Sequence, residues 1–258
     1  MKYTGERLVS TIKEYWAIEH VHRYALCFSY IKNKTVLDIA CGDGYGSNLM
    51  ASLAEKVFGV DISEEAVKHA QQKYKASNIE FKQGSASKIP LKDNSVDVVV
   101  SFETIEHHEL HREMLEELKR VLKPNGILLI SCPDKLNYSD IPKYSNPFHV
   151  KELYKSEFNE LISSYFKYNF QLSQRTVTGS LITLDSSSST NFFEYKGDYD
   201  KVERFSQAKN PMFNLVLASD SPLNNDFAFN SFFESPYEVS FYSDIKKHIK
   251  KILKRFKS

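Results

Sequence analysis

Three glycines and three acids carry the most specific chemistry in this chain. Gly42, Gly44 and Gly46 alternate at the end of TVLDIACGDGYG, residues 35–46. Asp38 stands four positions before the first glycine, Asp43 lies between the first two, and Asp61 closes the next apolar run, 57–60. A buried strand running into a glycine turn and then a helix lets a ligand approach the backbone closely. The first amides of that helix have no partner within it. The spacing is G-x-G-x-G, not the G-x-G-x-x-G of a dinucleotide fingerprint, and two carboxylates would repel a pyrophosphate. Asp38 and Asp43 instead suit a ligand with a cationic end. An acid closing the second strand, as Asp61 does, can accept both hydroxyls of a ribose. The pattern points to a nucleoside that carries positive charge, such as S-adenosylmethionine with its ammonium and sulfonium.

A second group of residues is placed to react. The apolar run 96–102 ends in SFETIEHH, residues 101–108. Ligand and reacting groups gather at the carboxyl ends of strands in open α/β sheets. His107 is the first candidate for a general base, because an imidazole titrates nearest neutral pH, with Glu106 orienting it. The competing reading is that His107 only shapes the pocket, and positioning supplies the rate. His108 and His111 read as helix-surface residues. Glu106, His107, His108 and His111 lack the spacing H-E-x-x-H, so no metal is expected.

The elements that must position these groups follow from periodicity. From residue 35 the pattern alternates strand and helix, which predicts a parallel sheet with right-handed crossovers. Strands are expected at 56–61, 79–83, 96–102 and 127–130, the last after a turn at Lys123-Pro124-Asn125-Gly126. Ser63 should cap a helix, and further helices are expected at 110–122 and 151–165. Before the first strand, Trp16, Val21, Tyr24, Ala25 and Phe28 fall at helical spacing, so 3–31 reads as a helix over the sheet edge. In the functional reading, that helix brings polar groups over the ligand.

Composition sets the class. The chain has 258 residues, 41% hydrophobic and 26% charged, in the range of a soluble globular protein. Its net charge of +1 gives no support for nucleic-acid binding. Cys27, Cys41 and Cys132 suggest no disulfide framework and fit a reducing compartment. MKYTGER lacks the apolar core of a signal peptide, so a cytoplasmic location is expected.

Five stretches, VLDIACGDGYG, VFGVDIS, QGSASKIP, DVVVSFETIEH and VLKPNGILLIS, occur in order over about residues 35–133. On these the chain resembles the class I S-adenosylmethionine-dependent methyltransferases, in particular the type 11 branch. The resemblance implies a Rossmann-like, doubly wound, mostly parallel seven-stranded sheet. Residues 166–174 would be its sixth strand, and 213–218 an antiparallel last strand between the fifth and sixth. It also implies cofactor contacts: Asp38 at the ammonium side, and the backbone of Ala40, Gly42, Gly44 and Phe102 near methionine and ribose. Asp61 would hold the ribose hydroxyls, Ile62 would cover an adenine face, and Ser85 and Ala86 would meet the adenine edge. The family usually has an acid where Ser85 stands, and a serine accepts the adenine amino group more weakly.

TGER…EHVHRY and Asn146-Pro147-Phe148-His149 look like features of methyltransferases linked to bacterial surface-polysaccharide or capsule synthesis. This implies that 1–34 is a helical cap, 35–222 the methyltransferase domain with an insertion at about 175–210, and 223–258 a C-terminal extension. His149 would contact the acceptor or serve as base. With Arg7, His22 and Arg23 it would suit a phosphate-bearing acceptor, such as a nucleotide-linked sugar or phosphorylated precursor. The expected reaction is O-methylation of a small or glycan-linked acceptor. A lipid-like or quinone-like acceptor is the alternative within enzymes, and a non-catalytic cofactor-binding scaffold the alternative outside them. Residues 244–258 hold seven Lys or Arg and one Asp with an apolar helical stripe, a candidate for peripheral membrane contact. The serine run 186–189 reads as a surface turn. The 175–210 insertion is a candidate for closing over substrate or for homodimer contact.

Overall fold

The computed structural model describes residues 15–177, 179–184, 194–197, 202–205, 210–223 and 231–233. Arg7, the serine run and the basic tail lie outside them. The chain opens with α1 (Tyr15–Ile31), β1 (Thr35–Ile39), α2 (Tyr45–Ala51), β2 (Lys56–Asp61), α3 (Glu64–Lys73) and β3 (Ile79–Gln83). It continues through β4 (Val96–Phe102), α4 (His111–Val121), β5 (Leu122–Pro133), α5 (Lys155–Tyr165), β6 (Tyr168–Val177) and β7 (Gly179–Leu184). The hairpin strands β8 (Glu194–Gly197) and β9 (Val202–Phe205) precede β10 (Phe213–Ser219) and β11 (Ser231–Phe233).

Seven strands in the order β3-β2-β1-β4-β5-β10-β6 form the expected Rossmann-like sheet, with β10 antiparallel to both β5 and β6. The sheet then continues through β7 and β11, so among the described residues nine strands are joined where seven were expected. Part of the 175–210 segment thus joins this sheet. Residues 175–177 prolong β6, and β7 folds back antiparallel onto it. The alternating, β-branched character of RTV and LITL favours this pairing over a loop. The turn expected at Lys123-Pro124-Asn125-Gly126 is absorbed into β5 as a bulge: Val96 pairs with Leu122, but Val98 pairs with Ile127.

Period-2 alternation sorts the strands' apolar residues onto two faces. Leu37, Ile39, Val99, Leu128 and Ile130 pack with Leu115 and Leu118 of α4 and Phe158 of α5. Val36, Val98, Val100 and Leu129 pack on the other face with Tyr24, Cys27 and Ile31 of α1 and Met50 of α2. Ser63 caps α3 as expected, its Oγ accepting from Ala66 N at 3.2 Å. All three cysteines are buried free thiols. No described helix is long and apolar enough to cross a membrane.

α1 docks tightly because Gly46 has no side chain. A Cβ there would lie 2.0 Å from the Tyr24 ring. Helix propensity alone would favour alanine at this helical position by about 1 kcal/mol. Over-packing a buried ring outweighs that, so Gly46→Ala is expected to destabilise by about 1–3 kcal/mol. The change should appear as a lower urea midpoint at unchanged m-value. A raised midpoint would mean that α1 does not sit against the loop in solution.

Candidate active site

Chain order reverses beside β1: β2 and β3 follow on one side, β4 and β5 on the other. An open cavity of about 1350 Å³ lies against the carboxyl ends of these strands, where such folds bind ligands. That exceeds the roughly 300–1,000 Å³ usual for one small ligand. Its wall is built from 39–42, Asp61 and Ile62, 84–87, 102–104 and 106–108, closed by Glu19, His20 and Tyr24 of α1 and by Tyr138, Asn146 and His149.

At one end the backbone does most of the work. Ala40 (φ 60°) and Gly42 (φ 55°) both take left-handed conformations, which for alanine is uncommon, and both line the cavity. Asp61 is 3% exposed; its carboxylate accepts from Gly42 N and from Ser63 N, each at 2.9 Å. It thus ties the glycine loop to the start of α3 while lining the cavity. Ile62 is exposed beside it, and Ser85, Ala86 and Ser87 form the adjoining wall, with Ser85 Oγ 3.0 Å from Ser87 Oγ. Phe102 lines the cavity and meets Tyr24 edge-on.

Three expected contacts are placed differently. Asp38 is 1% exposed and outside the cavity wall; it accepts from Tyr24 Oη at 3.1 Å and Ser47 Oγ at 2.6 Å. By strand alternation it shares the face of Val36, toward α1 and α2, so it braces the loop from behind. Asp43 faces α3, where His69 Nε2 and Lys73 Nζ meet it at 2.7 and 2.8 Å. Gly44 (φ 82°) also turns that way, with Ala70 and Phe81 where its Cβ would be.

Burial pushes the Asp38 carboxyl up to about 7, against the hydrogen bonds from Ser47 and Tyr24 that favour its charged form. The folded state therefore keeps a proton that the unfolded chain releases near pH 4. For a raised carboxyl pKa, stability falls as pH rises between those two values and is level above the higher. The burial of His22, whose pKa is lowered to about 4, works in the opposite sense. Subtracting Asp38→Asn from the native chain isolates the aspartate. The difference in unfolding free energy is expected to fall by about 1–4 kcal/mol from pH 4.5 to pH 8. Urea titrations at both pH values measure it, and an unchanged difference would refute it.

At the other end, a one-turn 3-10 helix, Ile105–His107, follows β4. The Glu106 carbonyl accepts from Val150 N at 2.8 Å and Lys151 N at 3.0 Å, which lays the 148–151 segment across this turn. His107 Nδ1 lies 3.0 Å from Phe148 O, so that nitrogen carries the proton and donates. His149 is held by Glu152 Oε1, 2.5 Å from Nδ1, and by Asn146 Nδ2, 2.9 Å from Nε2. The two imidazoles meet at 5.1 Å between centroids, and Tyr138 stacks on His149 at 5.4 Å. Glu106 is 1% exposed, and neither carboxylate oxygen has a hydrogen-bond partner among the described residues. Burial, with Glu103 nearby, raises its pKa well above the usual carboxylate range.

Other expectations are corrected. His22 and Arg23 do not line the cavity. His22 Nε2 lies 2.9 Å from Ser231 Oγ, while Arg23 is fully buried, donates to Gln174 Oε1 at 2.8 Å and covers the Phe213 ring. They fasten α1 to β6, β10 and β11, while Glu19, His20 and Tyr24 of the same helix line the cavity. His111 is buried, and His108 lines the cavity and packs against it. Glu103 (φ 51°), Asn146 as a side chain, Tyr138 and Glu152 escaped the sequence reading. Only the Asn146–His149–Glu152 spacing carried a signal for any of them.

Residues 37–130 match the protein family described as methyltransferase domain. A protein of Mycolicibacterium smegmatis described as a probable S-adenosylmethionine-dependent methyltransferase is 37% identical over 166 residues, covering 62% of this chain and 63% of that protein. A demethylmenaquinone methyltransferase of Chlorobaculum parvum is 33% identical over 155 residues, 58% of each chain. The chain thus spans less than two thirds of the length of these curated relatives. The crystal structure of YcgJ from Bacillus subtilis superimposes with a TM-score of 0.58 at 20% identity, covering 79% of this chain and all of that one. That likeness establishes the fold as the Rossmann-like one of such domains.

Proposed function

We propose that this chain, whose residues 37–130 match the methyltransferase domain, moves a methyl group from S-adenosylmethionine to a hydroxyl of a neutral sugar or glycan-linked acceptor. The observation that carries the reading is the lining of the cavity. It joins Asp61 and the left-handed loop at one end to His107 and His149 at the other, with no lysine or arginine among its described lining residues. Carboxylates of that wall would repel a polyphosphate, whereas a sulfonium suits them. The same wall argues against the phosphate-bearing acceptor expected from Arg7, His22 and Arg23. Asn137, Tyr138, Asn146 and the histidines suit hydroxyl groups flanked by an aromatic face.

S-adenosylmethionine, when bound, supplies an electrophilic methyl carbon. The chain's part is to place an acceptor oxygen in line behind it and to take up the hydroxyl proton. Both roles fall to the corner formed by Glu106, His107 and His149. A second reading, a quinone-like or lipid-like acceptor, is favoured by the exposed Ile141, Tyr144, Phe148 and Val150 on the segment that carries His149. Methyl uptake from labelled cofactor discriminates, with neutral oligosaccharides, sugar phosphates and a demethylated quinone as acceptors. Labelled neutral sugar alone is the expected result. Labelled quinone alone would transfer the assignment, and bound cofactor with no transfer to any acceptor class would favour the scaffold reading.

A further inference from the structure

We propose that Glu106, His107 and His149 form a site for a divalent transition-metal ion, which holds and activates the acceptor hydroxyl. The role rests on the methyltransferase reading above; the site itself does not. One donor atom from each residue lies within 4.8 Å of the others. A tetrahedral shell with bonds of about 2 Å places donor atoms about 3.3 Å apart, and His107 Nε2 already lies 3.8 Å from Glu106 Oε1.

The contacts at Nδ1 orient both imidazoles for coordination through Nε2. His107 gives its Nδ1 proton to Phe148 O, and His149 presents Nδ1 to Glu152. In each ring Nε2 then carries the lone pair, and the Glu152–His149 contact is the carboxylate–histidine pairing that orients metal ligands. Asn146 Nδ2 meets the same His149 nitrogen at 2.9 Å and keeps Tyr138 Oη at 3.4 Å as an alternative partner. Glu106 supplies an independent sign of a cation site. It is 1% exposed and lines the cavity, and neither of its carboxylate oxygens is hydrogen-bonded among the described residues. Protonating it would not help, since a buried carboxylic acid also needs partners for its polar atoms. Two imidazoles and one carboxylate with open positions suit zinc, manganese, iron or cobalt rather than the all-oxygen sites of calcium and magnesium.

The ion would coordinate the acceptor oxygen and lower the pKa of its hydroxyl. With His107 and His149 serving as ligands, the proton leaves to solvent instead of to an imidazole, as the new carbon–oxygen bond forms and the carbon–sulfur bond breaks. The test uses the full chain, stripped with EDTA and titrated with Co²⁺ alone while its visible absorption is followed. One equivalent should bind with a dissociation constant of micromolar order or tighter and produce ligand-field bands. Glu106→Gln and His149→Ala should each abolish those bands. Glu152→Gln, which leaves the three ligands in place, should weaken binding about 10- to 100-fold. Absence of saturable cobalt binding, or equal affinity in all three variants, would overturn the site. A parallel titration with S-adenosylmethionine keeps the two readings apart: cobalt bound without cofactor binding overturns the methyltransferase reading alone, and the reverse overturns the metal site alone.

Discussion

Asp61→Ala is expected to weaken S-adenosylmethionine binding at least 100-fold. The carboxylate accepts Gly42 N and Ser63 N at 2.9 Å and lines the cavity at the end of β2. Alanine removes whatever hydrogen bonds it gives a ribose, each worth about 1.5–3 kcal/mol to a charged acceptor. It also releases Gly42 N from the turn that holds Gly42 at φ 55°. About 3 kcal/mol is already more than 100-fold in affinity. Asp61→Asn separates the two losses, because its single carbonyl oxygen can still accept from one of the loop amides. It should fall between the native chain and the alanine variant. Calorimetric titration with S-adenosylmethionine and its demethylated product measures all three. Native-like affinity in Asp61→Ala would show that the glycine loop does not bind the cofactor's nucleoside.

That loop was legible because its signals are local. Strand, glycine turn and acid fall within residues 35–61, and the backbone there answers to nearest neighbours. The same locality made Ser63 a cap, whereas 213–218 was readable as a strand through the family resemblance. Asp38 was readable too, had strand alternation been applied: it shares parity with Val36, which packs toward α1 and α2. Positions decided by distant partners were not readable. His22 and Arg23 lie within one helical turn of Glu19, and partners far off in the chain, Ser231, Gln174 and Phe213 among them, hold them inward. The meeting of His107 with His149 depends on Val150 and Lys151 amides reaching the Glu106 carbonyl. No periodicity announces a hydrogen bond of that kind between a 3-10 turn and a loop. The extension through β7 and β11 was missed because Ser231–Phe233 pairs with residues far off in the chain, which no local pattern announces.

His149→Ala is expected to lower kcat by about 100- to 10,000-fold with little change in cofactor affinity. The ring packs against His107, 5.1 Å between centroids, on the turn after β4, whereas Asp61 and Ile62 lie at the end of β2. Cofactor contacts should therefore survive its removal. Glu152→Gln leaves the imidazole in place but replaces a charged partner 2.5 Å from Nδ1, so a smaller loss of about 10- to 100-fold is expected. Glu152 is a positioning residue: it acts only through His149. The combined variant His149→Ala with Glu152→Gln should then be no slower than His149→Ala alone, since residues acting as a unit are not additive. Single-turnover rates at saturating cofactor measure the cycle. Multiplying losses would mean that Glu152 reaches the acceptor independently. An unchanged rate in both His107→Ala and His149→Ala would leave in-line positioning as the whole of the catalysis.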